Sequence, residues 1–516
     1  QHSFPAAWTK LPLPSYGGHS MLKAEHVNGW LLAILSVSIL VVCASACCTR
    51  HVAKYFVDPR RGLHKYVLLT LICLFIPGPY FHDGLLQSFK TPICEGMRLS
   101  NADFASLFVV SSFTGILCSP GSLMISRFGR TRTAIAASFL AAIGSSVTTL
   151  GFVWTSLAAM WLGRFLFWLG LNVLLMVQTI LVYDLFKGRG LSCAMTTIVC
   201  SIRLGGSMSY PLSGPMLSQI GIVASLWFSV ALVVGAFLST LLFGYLFRWT
   251  ATARAVRPML ERRTPRSSIE FSLIKHLPKT VIIFLSGIAA IWGVVFPFEV
   301  VGDDMLQREF GYSADNAGFI IAAAPMMSIF SPALVPFLGS TLHQKLVAFR
   351  LGLVTLMIAF LVIGIFQLAI LGVVLVGFGY AVSVSASYSC LPMVIAASAP
   401  EDEHQTHKKM EKLAVRMNMA GSGFSMIVSN LTIGVIKDHA SYRWACFFLA
   451  GMATCGVVSV SWVRCFCPEP VWLPSEPSRE MEETPTPGET EQPPNLHRPC
   501  SAGALEIEDE YYQASA

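Results

Sequence analysis

The sequence predicts an all-α polytopic membrane protein, and three observations support this fold class. Of the 516 residues, 54% are hydrophobic and 13% are charged, whereas a soluble chain carries about 25% charged residues. The charges fall in short clusters between apolar runs, many of which exceed the ~18 residues that mark a membrane-spanning helix. The clusters also alternate along the chain between strongly basic and nearly free of Lys and Arg, as loops on the two sides of a membrane do.

The apolar runs predict twelve core spans and one additional N-terminal span at about Trp30–Cys48. The core spans are predicted near residues 66–86, 104–126, 133–154, 156–182, 191–217, 222–247, 280–301, 316–338, 346–366, 368–397, 413–436 and 442–463. Each is about 20 residues or longer, which is enough to cross a hydrocarbon core of about 30 Å.

The loop charges predict the orientation. Basic residues cluster in Arg50–Lys65, Arg127–Arg132, Lys187–Arg189, Arg254–Lys279 and Lys408–Lys412. The alternate loops Val153–Ser156 and Ser218–Ala224 contain no Lys or Arg, and the segment after Glu299 is expected to be an acidic loop. Because basic loops face the cytosol, residues 1–29 are expected on the lumenal or outer side.

This pattern divides the chain into five parts. Residues 1–64 hold the extra span and a basic linker, 65–247 the first six-span half, 248–279 a basic cytosolic linker, and 280–463 the second six-span half. Residues 464–516, rich in Pro, Glu and Ser, are expected to be disordered. Two six-span halves around a central cavity are the layout of major facilitator transporters.

Specific sequence strings extend this likeness. GRFLFWLG (Gly163–Gly170), SIRLGGSM (Ser201–Met208), VVFPF (Val294–Phe298), REFGYS (Arg308–Ser313) and LPMV (Leu391–Val394) occur in order. Together, between about Tyr66 and Val463, they resemble the lysosomal dipeptide transporter branch of the major facilitator superfamily. The resemblance implies the major facilitator fold, release of dipeptides from the lysosome without proton coupling, and an accessory glycosylated membrane protein as partner. It places the protein in a lysosomal or vacuolar membrane, with the plasma membrane as the alternative.

Arg203 is the first candidate site residue. It lies about 13 residues into the fifth predicted span, which is roughly 20 Å at about 1.5 Å per residue and therefore near mid-bilayer. A charge at that depth is costly and usually faces a cavity, and the forked guanidinium suits a substrate carboxylate. The alternative is an ion pair between helices.

Two further candidates lie in the fourth predicted span. Asn172 stands where the resemblance implies an acidic residue that holds the amino group of the peptide, so a weaker demand for a free amine is expected unless Asp83 or Glu299 supplies the charge. A polar contact between helices is the alternative for Asn172. Gln178 belongs to the strings that carry the resemblance. Arg164, in the same span, is expected to form a structural pair or a snorkelling contact.

The first and seventh predicted spans supply the remaining candidates. Pro77-Gly78-Pro79 predicts a broken helix of the kind that lines transporter sites, and His82 and Asp83 follow it. Asp83 is a candidate counter-charge for a substrate amine, and His82 is able to titrate at acidic lumenal pH. Glu299 is a second acidic candidate, beside the aromatic Phe298. The alternative for His82 and Asp83 is a place in the lumenal vestibule, and the alternative for Glu299 is a solvated helix end.

These features favour a uniporter that works by alternating access. A proton-coupled symporter of another organic anion or amino acid is one alternative, and a receptor or scaffold that kept the fold without transport is another. The sequence contains no phosphate-binding loop, zinc pattern or nucleophile elbow. An enzyme, a cofactor, a metal site and a nucleic-acid partner are therefore not expected.

Overall fold

The computed structural model describes residues 63–116, 124–125, 127–186, 189–249, 277–329, 331–334, 338, 341–398 and 404–466. In these ranges the regular secondary structure is helical. The extra span predicted at Trp30–Cys48, most of the basic central linker and the Pro-rich tail lie outside the described residues.

The helices fall into a first half, α1–α8, and a second half, α9–α15. In the first half they are α1 (Leu63–Cys73), α2 (Pro77–Ser88), α3 (Lys90–Met97), α4 (Asn101–Ile116), α5 (Arg130–Val153), α6 (Leu157–Leu185), α7 (Arg189–Gln219) and α8 (Gly221–Trp249). In the second half they are α9 (Lys279–Phe310), α10 (Ala314–Ile329), α11 (Ser331–Leu334), α12 (Leu342–Phe366), α13 (Ala369–Ser398), α14 (His404–His439) and α15 (Tyr442–Phe466).

Nine helical segments of the described chain are long and apolar enough to cross a membrane. The other three predicted core spans coincide with α4, α7 and α10. Helices α4 and α10 have 16 residues each within the described ranges. Helix α7 is long, but Ser, Gly and Pro residues and the charge of Arg203 lower its hydropathy.

The first predicted span is broken as its prolines predict. Helix α1 ends at Cys73, and α2 begins at Pro77, which has no N–H to donate into the preceding turn. The Nε2 of Gln178 on α6 donates a hydrogen bond to the Ile72 carbonyl oxygen at 2.9 Å. Gln178 therefore satisfies backbone next to the break.

Close backbone contacts join the two halves. Helix α4 packs on α14, and α7 packs on α10. A Cβ added to Gly318 of α10 would lie 2.2 Å from the Tyr210 carbonyl oxygen of α7. Since no side chain fits there, glycine allows these two helices to touch, as small residues do between membrane helices.

A buried polar cluster joins the two halves at one end of the bundle. We call this the lumenal end, after the predicted orientation. Lys90 of α3 donates to Asp304 Oδ2 of α9 at 3.0 Å and to the hydroxyl of Tyr442 on α15 at 2.7 Å. Asp304 also accepts from Thr91 at 2.5 Å and from Arg308 Nε at 2.7 Å. The Lys90 and Asp304 side chains are 3% and 2% exposed. The cluster therefore links the halves through a desolvated ion pair.

A second contact at the lumenal end reinforces the first. Asp438 of α14 accepts hydrogen bonds from the backbone N–H groups of Asn101 and Ala102, at 2.9 and 3.0 Å. These N–H groups open helix α4, where an anion is stabilised by unpaired donors and the helix dipole.

The prediction of an acidic loop after Glu299 is wrong. Helix α9 continues to Phe310 and carries Asp303 and Asp304 as buried side chains. The ion pair with Lys90 compensates the charge of Asp304, so this carboxylate can lie inside the bundle. Sequence composition alone indicates a solvated loop at this position.

Candidate functional site

A cavity lies between α2 and α7 of the first half and α9 and α10 of the second. The cavity is narrow in this structure, with a volume of about 20 Å³ available to the centre of a water-sized sphere. Its lining residues are Tyr80, Asp83, Gly84, Gln87, Arg203, Gly206, Tyr210, Phe296, Glu299 and Pro325. The cavity is thus lined by one cationic side chain, Arg203, and by two acidic side chains, Asp83 of the first half and Glu299 of the second.

Arg203 reaches the cavity from α7 and is held by Tyr380 of α13. Its Nη2 donates a hydrogen bond to the Tyr380 hydroxyl. The guanidinium carbon also lies 4.9 Å from the centre of the Tyr380 ring, within the range of a cation–π interaction. Tyr380 is 1% exposed. The cation of the first half is therefore bound to a neutral side chain of the second half, with no carboxylate in that contact.

Glu299 faces the same cavity from α9. Its side chain is buried, and its Oε1 has no hydrogen-bond partner among the residues that the structure describes. A buried carboxylate oxygen without a donor is costly. A positively charged or N–H-bearing ligand would remove that cost.

Asp83 also lines the cavity, but its carboxylate is already bound. Arg164 Nη1 lies 2.5 Å from Asp83 Oδ1, and Gln87 and Trp168 donate to the same carboxylate at 2.9 and 3.3 Å. Arg164 is 0% exposed and also donates to Ser111 at 2.9 Å. The pair is compensated internally, which is the structural role expected for Arg164. Asp83 is left with little charge to offer a substrate amine.

His82 points away from the cavity. Its Nδ1 lies 2.8 Å from Ser229 Oγ of α8, and its ring centre lies 5.2 Å from that of Phe167 on α6. It is fully buried between these helices. The structure therefore separates His82 from its neighbour Asp83, because consecutive residues on a helix point about 100° apart.

Asn172, Gln178 and Phe298 lie outside the cavity lining. Asn172 donates to Thr114 of α4 at 3.0 Å, which is the helix contact named as its alternative. Gln178 binds the carbonyl beside the break in the first span. Phe298 is buried against Phe360 of α12, with ring centres 5.2 Å apart. The structure therefore does not bring these three residues into the cavity with Arg203.

Four residues with polar side chains that line or support the cavity were not among the predicted site residues: Tyr80, Gln87, Tyr210 and Tyr380. Tyr80, Asp83 and Gln87 recur at helical spacing on α2, so periodicity around Asp83 could have found two of them. The Tyr210 hydroxyl donates to Gln87 Oε1 at 2.6 Å and so extends the Asp83 network to α7. No sequence pattern connects Tyr380 with Arg203, 177 residues away.

The comparison with known families decides the superfamily. The family model described as Major Facilitator Superfamily matches residues 29–406. The chain belongs to the major facilitator superfamily. This confirms the predicted all-α major facilitator fold, and it makes the chain a multi-pass membrane transporter that binds a small-molecule substrate.

Curated relatives within the superfamily agree with the predicted branch. The chain is 26% identical over 395 residues to the mouse (Mus musculus) lysosomal dipeptide transporter MFSD1, an alignment that covers 73% of this chain and 80% of the relative. It is 22% identical over 417 residues to the human (Homo sapiens) protein of the same name, covering 78% of this chain and 86% of the relative. The resemblance to this branch is confirmed.

A solved structure shows the same architecture. The crystal structure of a variant of the nucleoside transporter NupG superposes with a TM-score of 0.61. It covers 77% of this chain and 99% of that chain at 13% identity. At that identity the likeness concerns the fold alone.

Proposed function

We propose that this major facilitator protein is a uniporter that moves dipeptides, or related small solutes bearing a carboxylate, across the lysosomal membrane by alternating access. The observation that carries the proposal is the placement of Arg203 and Glu299 in one cavity, from opposite halves. The relatives named lysosomal dipeptide transporter supply the substrate class and the organelle. The accessory glycosylated membrane partner also belongs to this proposal.

A dipeptide is a zwitterion, and the two charged groups of the cavity match its ends. Arg203 binds the carboxylate with two parallel N–H donors, a geometry that is stronger and more directional than a single neutral hydrogen bond. Glu299 accepts the ammonium group with the oxygen that has no protein donor in the described chain. A solute that bridges these residues pulls the halves together, so its affinity differs between open and closed states, as alternating access requires.

Glu299 fits the amine better than the other acidic and amide candidates do. Asp83 is neutralised by the buried Arg164, and Asn172 is bound to Thr114. The charge that the resemblance implies on the fourth span is therefore supplied from α9 of the opposite half.

Competition against a labelled dipeptide in proteoliposomes tests this assignment. The free dipeptide is expected to compete, whereas its N-acetyl form and its C-terminal amide compete at least tenfold less well, because each loses a charge-assisted contact. In Glu299→Gln, the free dipeptide is expected to compete less well than in the wild type. The difference in competition between the free dipeptide and its N-acetyl form is expected to become smaller. Equal competition by the C-terminal amide in the wild type would overturn the pairing of Arg203 with the carboxylate.

A proton-coupled symporter is the second candidate. The observation that favours it is the same buried carboxylate of Glu299, which loses its charge if it takes up a proton. An imposed pH gradient separates the two mechanisms. Uniport predicts no accumulation of the dipeptide above equilibrium, whereas symport predicts accumulation that collapses when the gradient is removed.

A further inference from the structure

The guanidinium of Arg203, the cation of the proposed site, already has a protein side chain as its partner in the structure. Tyr380 presents both its hydroxyl and its ring face to Arg203. Arg203 belongs to α7 of the first half and Tyr380 to α13 of the second. The contact therefore crosses the interface that has to open and close during transport.

The position of Tyr380 is fixed by aromatic packing from α9. Its ring centre lies 6.3 Å from that of Trp292, nearly perpendicular at 79°. Trp292 in turn packs on Phe296 at 5.0 Å, and Phe296 lines the cavity. Edge-to-face pairs of this kind add stabilisation beyond the area they bury. Tyr380 is thus oriented toward Arg203 by the helix that carries Glu299.

The chemistry of the contact makes it replaceable. A phenol oxygen is a neutral acceptor that engages one guanidinium N–H, whereas a carboxylate is charged and engages two. A substrate carboxylate is therefore a stronger partner for Arg203 than Tyr380 is. In the absence of substrate, however, Tyr380 prevents the guanidinium from being buried without any acceptor, which is costly at mid-membrane depth.

We infer that Tyr380 is a positioning residue that stands in for the substrate carboxylate in the empty transporter and thereby allows the empty protein to reorient. This inference rests on the proposed function. A uniporter that completes a net cycle has to return without substrate, and in that step the two halves close around Arg203. Tyr380 satisfies the cation during that return, while in the loaded step the substrate does so.

The decisive variant is Tyr380→Phe, which removes the hydroxyl and keeps the ring. Net efflux of labelled dipeptide into substrate-free buffer includes the empty return, whereas equilibrium exchange between two loaded states bypasses it. Net efflux is expected to fall about tenfold or more, since a hydrogen bond to a charged group is lost. Exchange is expected to stay within about twofold of wild type, because only loaded states take part. Tyr66→Phe is the matched control, since Tyr66 is exposed on α1 and phenylalanine keeps its ring contact with Phe186; both rates should stay unchanged.

Two results would overturn the inference. Equal losses of net efflux and exchange would mean that Tyr380 only supports the fold, and unchanged rates in both modes would mean that its hydroxyl plays no part. Flux by the wild type tests the proposed function separately. If the wild type transports no dipeptide, the role of Tyr380 is tested by titrating the protein with acetate and following tryptophan fluorescence. Tyr380→Phe should then bind the carboxylate several-fold more tightly than wild type. Equal affinities would contradict the inference.

Discussion

Replacement of Asp83 by asparagine separates a structural carboxylate from one that binds substrate. In the structure Asp83 neutralises Arg164, which is fully buried among α2, α4 and α6. Asparagine keeps one neutral acceptor oxygen, so it can accept from Trp168 or from Gln87 but not from both, and it leaves the guanidinium without a counter-charge. If the pair is structural, Asp83→Asn damages stability first and substrate choice only indirectly.

The magnitude follows from the burial of the pair. Removal of one partner from a buried ion pair costs about 3–5 kcal/mol, because the other charge stays uncompensated. Asparagine retains some hydrogen bonding, so we expect about 3 kcal/mol for Asp83→Asn. Arg164→Met should cost a similar amount by leaving Asp83 buried. The double variant removes both charges, and its loss should be smaller than the sum of the two single losses by roughly 2–3 kcal/mol.

The assay is unfolding in mixed micelles of mild detergent and SDS, followed by tryptophan fluorescence, for the wild type, both single variants and the double variant. Competition by a dipeptide and its N-acetyl form is measured on the folded double variant. Additive losses would refute the interaction between Asp83 and Arg164. Loss of discrimination against the N-acetyl form in a stably folded double variant would instead place Asp83 at the substrate amine.

Three further predictions concern other parts of the structure. Arg203→Lys is expected to transport at least tenfold more slowly than wild type, since a point charge does not copy the planar fork; initial uptake rates per inserted protein measure this, and wild-type rates would contradict it. Asp304→Asn leaves Lys90 buried beside a neutral partner, so amide hydrogen exchange in α3 should speed up about tenfold. The exposed control Asp315→Asn should leave that exchange rate unchanged. An unchanged exchange rate in both variants would show that the ion pair does not stabilise the lumenal end. Gln178→Leu loses the hydrogen bond to the Ile72 carbonyl oxygen and should lower the free energy of unfolding by about 1 kcal/mol. The transport rate per folded protein should stay at the wild-type value. A selective loss of substrate affinity would instead place Gln178 in the site.

The membrane helices and the break in the first span could be predicted from the sequence because both depend on local patterns. Apolar runs and loop charges predict where spans begin and end. Pro77 and its neighbours predict the break between α1 and α2. The mid-bilayer depth of Arg203, counted along one helix, stays a prediction.

The faces of the helices and the partners of the charges were not accessible in the same way. Phe298 and Glu299 are adjacent in sequence, yet one packs against α12 and the other lines the cavity. A span whose residues are apolar nearly all round gives little periodicity from which to choose a face. Arg203 and Tyr380 are 177 residues apart, and Lys90 and Asp304 are 214 residues apart. Such pairings depend on how the halves pack, which a single sequence does not display.

The proposed binding of both substrate ends is tested most directly by the flux of a labelled dipeptide through proteoliposomes that contain the wild type, Arg203→Ala or Glu299→Gln. For the wild type we expect saturable flux that is blocked by excess unlabelled dipeptide. For a folded Arg203→Ala protein we expect no saturable flux, and for Glu299→Gln a several-fold higher KM for the dipeptide. Wild-type flux of the dipeptide by Arg203→Ala would contradict the central claim that the two halves bind the two ends of the substrate through Arg203 and Glu299.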